Sequence, residues 1–341
     1  MNAVVKNAAL ALGMPAIAAG LTAFLISQTV AQSRAVIKVD GSSTVYPISQ
    51  AIVKAFQKTP NGKQVQISVE QSGTTGGFRK FCAGQTDISD ASRPILAPEM
   101  ERCRKNGVPY MEFPVAFDAL TVVVNPKNTW ADHITLAELR KMWEPAAQGT
   151  ITRWRQVRSN WPDQPLKLFG PGKDSGTFDY FTEAVMGKVD ASRNDYVASE
   201  DDQVLVRGVS QDPNALGYFG YAYYLAHQKN LKALAIDSGK GPVLPSAATV
   251  ERNQYQPLAR PLFIYVNARS AQVKPEVRAF TEFYLKNVEN LVSSVGYIPL
   301  PAEGYHIARV HFYRGKIGTV FAGKSQQNLT IRELLRKQAQ F

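Results

Sequence analysis

Three short turns of the sequence combine glycine with adjacent hydroxyl residues. They read DGSSTVYP from residue 40, EQSGTTGGF from residue 70 and GPGKDSGTF from residue 170. Each turn follows a strand-like segment and leads into a segment with helical spacing. The first N–H groups of a helix have no partner within it, and the helix dipole adds partial positive charge there. Since glycine also admits close approach to the backbone, three such turns that converge would form a cage for a small tetrahedral oxyanion.

Helix capping is the alternative explanation for each turn taken alone. Serine and threonine are preferred at the N-cap of a helix, and this preference needs no ligand. The repetition of the pattern in three places, with paired hydroxyls and glycines, favours ligand binding.

A fourth segment, TDISDASRPI from residue 86, places Arg93 beside Ser92 and before Pro94. A residue that precedes proline tends to be extended. The planar guanidinium of arginine can bind two oxygens of an oxyanion together. The alternative for Arg93 is an ion pair with Asp87 or Asp90.

The sequence gives little support to enzyme classes. It contains no G-x-S-x-G segment, and GPGKDSGT lacks the spacing of a Walker loop. The histidines are dispersed and show no metal-ligand spacing with the cysteines; they are His133, His227, His306 and His311. We therefore expect no catalytic residues, no metal and no cofactor. Lysine and arginine are scattered rather than clustered, so nucleic acid is not expected as a partner.

The first residues have the plan of a secretory signal peptide. Lys6 is the only charged residue before Arg34, and an apolar run and a small-residue exit lie between them. We place the signal peptide at 1–31, although the apolar run is also close to the length of a retained membrane anchor. The full chain has a formal charge of +11, so removal of Lys6 leaves +10. A positive field would speed anion capture, but it is also common in exported proteins.

The chain contains two cysteines, Cys82 and Cys103. Because the chain is expected to be exported into an oxidising compartment, we predict a disulfide between them. The alternative is a pair of buried thiols.

Strand-like and helix-like segments alternate along the chain. This alternation predicts an α/β fold with mainly parallel sheets covered by helices on both faces. In open sheets of this kind the turns at the carboxyl ends of the strands are where ligands bind. The length of 341 residues suggests two domains. The segments at 120–126 and 262–268 look alike and either form two crossover strands at a hinge or are ordinary core strands.

Taken in order, several segments resemble the phosphate-binding proteins of phosphate ABC transporters, the PstS family and its SphX-type members. The matching segments are DGSSTVYPI, SGTTGGF, TDISDASRPI, DALTVVVNP, GTITRW, DSGTFDYF and ALGYFGYAYY. They span nearly the whole chain after the signal peptide.

The resemblance implies a hinged periplasmic-binding-protein fold of type II, with two doubly wound sheets joined by two crossover strands. The first domain is expected at 32–121 plus 266–341, and the second at 122–265. The implied protein is soluble, periplasmic and monomeric, captures inorganic phosphate between the domains, and delivers it to an ABC permease. The alternatives are a binding protein for sulfate or molybdate, a phosphate sensor or scavenger and, more distantly, a secreted hydrolase.

The resemblance also assigns ligand-binding residues one by one. The implied phosphate contacts are Ser43, Thr44, Thr74, Thr75, Ser92, Arg93, Ser175, Gly176 and Thr177. The best-known branch of the family has an aspartate where Ser92 stands, and an arginine where this chain has Pro171. We therefore expect Arg93 to supply the cation. A carboxylate is expected to accept the proton of phosphate and repel sulfate; Asp118 is the first candidate, and Asp90, Asp174 and Asp202 are the others.

Overall fold

The fold of residues 35–341 comes from a computed structural model, and the predicted signal peptide at 1–31 lies outside these described residues. The strands are β1 Ala35–Gly41, β2 Val65–Val69, β3 Ile88–Ala91, β4 Tyr110–Ala119, β5 Thr121–Val124, β6 His133–Thr135, β7 Lys167–Gly170, β8 Val197–Ala198, β9 Ala215–Phe219, β10 Lys232–Ala233, β11 Ala235–Asp237, β12 Pro242–Val243 and β13 Ala259–Asn267.

The helices flank these strands along the described chain. They are α1 Tyr46–Phe56, α2 Thr74–Phe81, α3 Ala97–Lys105, α4 Leu136–Trp143, α5 Trp154–Val157, α6 Gly176–Met186, α7 Asp202–Gln211, α8 Tyr221–His227, α9 Ala247–Glu251, α10 Ala268–Val273, α11 Pro275–Val292, α12 Ala302–Arg314 and α13 Ile331–Gln340. Short 3-10 turns occur at Gly62–Gln64, Pro145–Ala147 and Ser293–Val295. Within this range no helix is both long and apolar enough to cross a membrane.

Two five-stranded sheets form the framework. The first has the order β2-β1-β3-β13-β4, and the second has the order β10-β5-β9-β7-β8, with a small third sheet of β12-β11-β6. The predicted α/β class is confirmed. The strand directions are more mixed than predicted, because β13 runs antiparallel to β3 and β4, and β5 runs antiparallel to β9 and β10. In the two large sheets β1 runs parallel to β2 and β3, and β7 runs parallel to β8 and β9. In the small third sheet β11 runs parallel to β6.

The chain passes between the two large sheets at two adjacent points. It leaves the first sheet after Ala119 and enters the second at Thr121, and it returns at Ala259, which lies opposite Ala119. Between these strands the Leu120 N–H donates to the Leu258 carbonyl oxygen at 2.8 Å. The segment 262–268, predicted as the second crossover, lies mostly within β13 of the first sheet. The return crossing is therefore near 258 rather than 265, and the division into two hinged domains stays a prediction.

Apolar side chains cover both large sheets and fix where the helices pack. Phe56 of α1 packs on Phe280 of α11, with ring centroids 5.3 Å apart. Under the second sheet, Phe181 of α6 stacks on Tyr218 of β9 at 3.9 Å. Because burial of aromatic surface dominates core energetics, these contacts hold α1 and α6, and with them the turns that precede them, in fixed positions.

The structure joins Cys82 to Cys103 by a disulfide, as predicted. Cys82 follows the last residue of α2, and Cys103 lies within α3. Both cysteines are fully buried. The bond therefore ties the helix that begins at Thr74 to the helix that carries Glu99.

We expect loss of this disulfide to lower the free energy of unfolding by about 3 kcal/mol, because the bond restricts the unfolded chain. The change is the double substitution Cys82→Ala and Cys103→Ala, and the measurement is urea-induced unfolding of the oxidised proteins. Reductant should destabilise the native chain and leave the double variant unchanged. Equal unfolding midpoints of the oxidised native chain and the double variant would contradict the expectation.

Candidate functional site

The three glycine–hydroxyl turns converge between the two large sheets. The Oγ1 atoms of Thr44 and Thr177 lie 3.1 Å apart, although Thr44 follows β1 of the first sheet and Thr177 belongs to α6 of the second. The Oγ1 of Thr74, at the start of α2, lies 3.1 Å from the Oγ of Ser92. These four hydroxyls, which we call the hydroxyl cage, are all buried.

Gly176 brings the two halves of the hydroxyl cage together. A Cβ atom added to it would lie 2.5 Å from the Thr74 Oγ1 and 2.7 Å from the Ser92 Oγ. No side chain fits at these distances. Glycine is therefore required here so that the backbone of the α6 N-terminus can meet hydroxyls from the first sheet.

Helix capping accounts for serines in two of the turns but for neither Thr44 nor Thr74. In the first turn the Ser42 Oγ accepts the Val45 N–H at 3.4 Å. Ser175 is the N-cap of α6, and its Oγ accepts a hydrogen bond from the Thr177 N–H at 3.1 Å. Thr44 and Thr74 make no such bond to the helices that follow them. Since capping does not explain these two hydroxyls, the geometry favours a ligand at the cage.

The cation at the cage is Arg260, a residue that the sequence analysis did not identify. Its side chain is fully buried, and its Nη2 donates to the Thr177 Oγ1 at 2.9 Å and to the Thr44 Oγ1 at 3.3 Å. Arg260 lies in β13 directly opposite Asp118 in β4, and its Nη2 also donates to the Asp118 Oδ2 at 2.9 Å. The sequence does hold one signal for Arg260: it is a charged residue at the start of an apolar strand. Such a strand is expected to be buried, and a buried charge needs a partner.

Arg93 is held by protein acceptors, and its contact with an anion stays a prediction. Its Nε donates to the Asp179 Oδ2 at 2.6 Å, and its Nη atoms donate to both Glu99 carboxylate oxygens at 2.8 Å. They also donate to the Thr75 Oγ1 at 2.7 Å and the Pro94 carbonyl oxygen at 3.1 Å. Because all five N–H groups bind protein acceptors, the geometry gives no support to Arg93 as a contact for an anion.

The carboxylates that pair with Arg93 come from outside its own segment. It pairs with carboxylates in α3 and α6 rather than with Asp87 or Asp90 of its own segment. Glu99 lies in α3, on the side of the first sheet, and Asp179 lies in α6, on the side of the second sheet. Arg93 therefore bridges the two sides behind the hydroxyl cage, next to Thr75.

Two of the four candidate carboxylates lie beside the cage. Asp118 is fully buried, pairs with Arg260, and its Oδ1 accepts the Tyr221 N–H at 2.9 Å. Asp202, the first residue of α7, accepts a hydrogen bond from the Ser43 Oγ at 3.2 Å. Burial raises the pKa of Asp202 to about 7, against the smaller lowering effects of the Ser43 hydrogen bond and of Arg260.

The other two candidates are directed elsewhere. Asp90 is buried and accepts a hydrogen bond from the Ser49 Oγ at 3.0 Å, under α1, and burial raises its pKa to about 8. Asp174 is partly exposed and pairs with Arg79. Neither side chain contacts the hydroxyl cage.

The site brings buried hydroxyl groups and the buried Arg260 guanidinium close together. Hydroxyl groups, helix N-termini and a guanidinium suit a small oxyanion. Among residues 35–341, no group of three or more histidine, cysteine, aspartate or glutamate side chains could hold a metal ion.

Comparisons with known proteins place this architecture in a family. Residues 27–288 match the model of a PBP superfamily domain. Protein SphX of Synechocystis sp. is 56% identical over 322 residues, which is 94% of each chain. Phosphate-binding protein PstS of Staphylococcus saprophyticus is 35% identical, over 79% of this chain and 82% of that protein.

A solved structure agrees with these sequence matches. The crystal structure of a possible phosphate binding protein from Planctomyces limnophilus superposes with a TM-score of 0.61 and 45% sequence identity. The match covers 82% of this chain and 98% of that one. The chain therefore belongs to the PBP superfamily and, within it, to the group that contains the SphX and PstS binding proteins.

Proposed function

We propose that this chain is an extracytoplasmic binding protein that captures inorganic phosphate and delivers it to the permease of an ABC transporter. The observation that carries the proposal is the hydroxyl cage, where Thr44, Thr74, Ser92 and Thr177 meet beside the fully buried Arg260. The names of the PstS relative and of the Planctomyces limnophilus protein, both described as phosphate binding, support the choice of anion. The predicted signal peptide supports the compartment.

In the proposed mechanism, two lobes close on the anion. The first lobe is built on the first sheet and supplies Thr44, Thr74, Ser92 and Arg260. The second lobe supplies the backbone of Gly176 and the hydroxyl of Thr177. Closure is a rigid-body rotation about the two chain crossings near 120 and 258. A permease would then recognise the closed form, in which both lobes present one continuous surface.

Arg260 replaces Arg93 as the proposed source of positive charge. A charge-assisted hydrogen bond is stronger than one between neutral groups, and burial strengthens it further. In the structure the Arg260 guanidinium lies within hydrogen-bond distance of the Thr44 hydroxyl of the first lobe and the Thr177 hydroxyl of the second. The role proposed for Arg93 is to position Thr75 and α6 through Glu99 and Asp179.

Discrimination between phosphate and sulfate is assigned to a carboxylate at the cage. Phosphate keeps a proton near neutral pH and sulfate does not, so a carboxylate can accept a hydrogen bond only from phosphate. Asp118 remains the first candidate, because it is buried and lies between Arg260 and the Tyr221 N–H. Its negative charge also offsets that of Arg260, which limits the attraction of a fully ionised dianion.

The proposed function predicts that one molecule of the protein binds one phosphate ion. Calorimetric titration of residues 32–341 at neutral pH should show tight binding of phosphate and little response to sulfate. Tight binding of sulfate instead would keep the cage but overturn the substrate. Absence of binding to both anions by well-folded protein would contradict the proposed function.

Substitution of Arg260 by Gln should weaken phosphate binding at least 100-fold, because a buried charged donor to the anion is lost. The single change also leaves Asp118 without its partner, at a cost of about 3–5 kcal/mol in the free energy of unfolding. The double variant Arg260→Gln with Asp118→Asn removes both charges and should recover much of that stability while still failing to bind. Calorimetry and thermal unfolding measure the two effects.

A matched control for Arg260 is Arg193→Gln. Arg193 is also buried, but it binds Asp195 and the carbonyl oxygens of Met142 and Ile151, away from the cage. This variant should lose stability and keep the native phosphate affinity. A native affinity in the Arg260 variants would remove Arg260 from the site.

Asp118→Asn should reduce the preference for phosphate over sulfate. With the charge of Asp118 removed, Arg260 gives the cage a net positive charge, and a sulfate dianion no longer meets a carboxylate. Competition calorimetry with both anions measures the preference. The control is Asp87→Asn, a buried carboxylate that pairs with Lys274 outside the cage; an unchanged preference in Asp118→Asn would move the discrimination to Asp202.

A further inference from the structure

The hydroxyl of Tyr297 is a buried polar group whose role in the fold is unexplained. Its residue is 3% exposed, and its hydroxyl has no hydrogen-bond partner among residues 35–341. A buried hydroxyl without a partner costs free energy in the folded state. Among residues 35–341 twelve other tyrosines are buried or partly buried. Several of them, such as Tyr305 and Tyr255, do find acceptors.

The backbone places Tyr297 in line with the charged pair of the cage. Phe117 and Ile298 exchange two antiparallel backbone hydrogen bonds, at 2.8 and 3.0 Å. Tyr297 therefore lies directly opposite Asp118, which in turn lies opposite Arg260. Side chains of directly opposed residues project from the same face of a sheet. Tyr297, Asp118 and Arg260 thus form a row across three neighbouring segments.

At the Tyr297 end of this row, Gly220 of the second lobe lies close to the side chains of Tyr297 and Asp118. A Cβ atom added to Gly220 would lie 3.5 Å from the Tyr297 hydroxyl oxygen, 3.5 Å from the Asp118 Oδ2 and 2.9 Å from the Thr44 Cγ2. The backbone angles of Gly220, φ −65° and ψ 145°, are open to any residue. The backbone angles therefore do not require glycine here, but its lack of a Cβ lets this turn approach Thr44, the Asp118 carboxylate and the Tyr297 hydroxyl closely.

The charges around Tyr297 keep its hydroxyl protonated. Burial, with further contributions from Asp118, Tyr223 and Asp202, holds the pKa of Tyr297 well above its usual value, and Arg260 opposes this shift only partly. The group therefore stays a neutral hydroxyl that can both donate one hydrogen bond and accept others.

From this geometry we propose that Tyr297 is a specificity-determining residue of the anion site, whose hydroxyl donates to the protonated oxygen of the bound anion beside Gly220. The hydroxyl group of the anion that contains this oxygen can then donate a hydrogen bond to Asp118. A sulfate oxygen would accept from Tyr297 in the same way but would face Asp118 with no proton to donate. The inference rests on the proposed phosphate binding and adds a residue that fixes where the proton of the anion lies.

The test is Tyr297→Phe, which removes the hydroxyl and keeps the ring. We expect phosphate affinity to fall about tenfold, the usual effect of losing one hydrogen bond to a charged acceptor. The preference for phosphate over sulfate should fall as well. Because the lost hydroxyl has no hydrogen-bond partner within residues 35–341, the thermal midpoint without anion should not fall. Calorimetry with both anions and thermal unfolding provide the measurements.

Tyr305→Phe is the matched control in the first lobe. The Tyr305 hydroxyl donates to the Val115 carbonyl oxygen at 3.1 Å and accepts from the Leu300 N–H at 3.0 Å. This variant should show the opposite result, a lower thermal midpoint and an unchanged phosphate affinity. Gly220→Ala is a second variant; its methyl group should occupy the shared space and also weaken phosphate binding.

The outcomes separate this inference from the proposed function. If native protein binds phosphate and Tyr297→Phe binds it with the same affinity and the same preference over sulfate, the inference is overturned and the proposed function stands. If native protein fails to bind phosphate, the proposed function fails and the inference fails with it.

Discussion

The buried ion pair between Arg260 and Asp118 is the interaction on which the rest of the site depends. Both side chains are fully buried, and a charge in such a position is tolerated only when it is paired and hydrogen-bonded. The register of β4 against β13 places the two residues opposite each other, so the sheet itself brings the charges together. Thr44, Thr177 and the Gly176 carbonyl oxygen accept further hydrogen bonds from the guanidinium.

Local features of this site could be predicted from the sequence, and long-range ones could not. The turns at residues 40, 70 and 170 carry their signal within a few residues of sequence. The choice of Arg260 depends on a pairing between strands 142 positions apart, 118 and 260. A single sequence does not reveal such a register, whereas Arg93 lies within a short motif and is visible from the sequence alone.

Arg93 shows how one residue pattern fits two different roles. A buried arginine next to serine fits an anion site, but it fits an ion-pair network equally well when carboxylates are close. Glu99 lies six positions further along, and Asp179 arrives from α6. The mixed strand directions have a related cause: the alternation of strands and helices predicts the α/β class, whereas the antiparallel pairing of β13 follows from the chain's return to the first sheet.

The adjacency of the two chain crossings has a mechanical consequence. Leu120 and Leu258 are hydrogen-bonded neighbours, so a rotation of one lobe against the other would have a single short axis through them. Displacement grows with distance from an axis, and Asp118 and Arg260 lie only two residues from it along the chain. The charged centre of the site would therefore stay almost stationary during opening, while Gly176 and Thr177 travel. Such a receptor would still attract an anion in its open form. Closure would mainly change how completely the protein surrounds the anion.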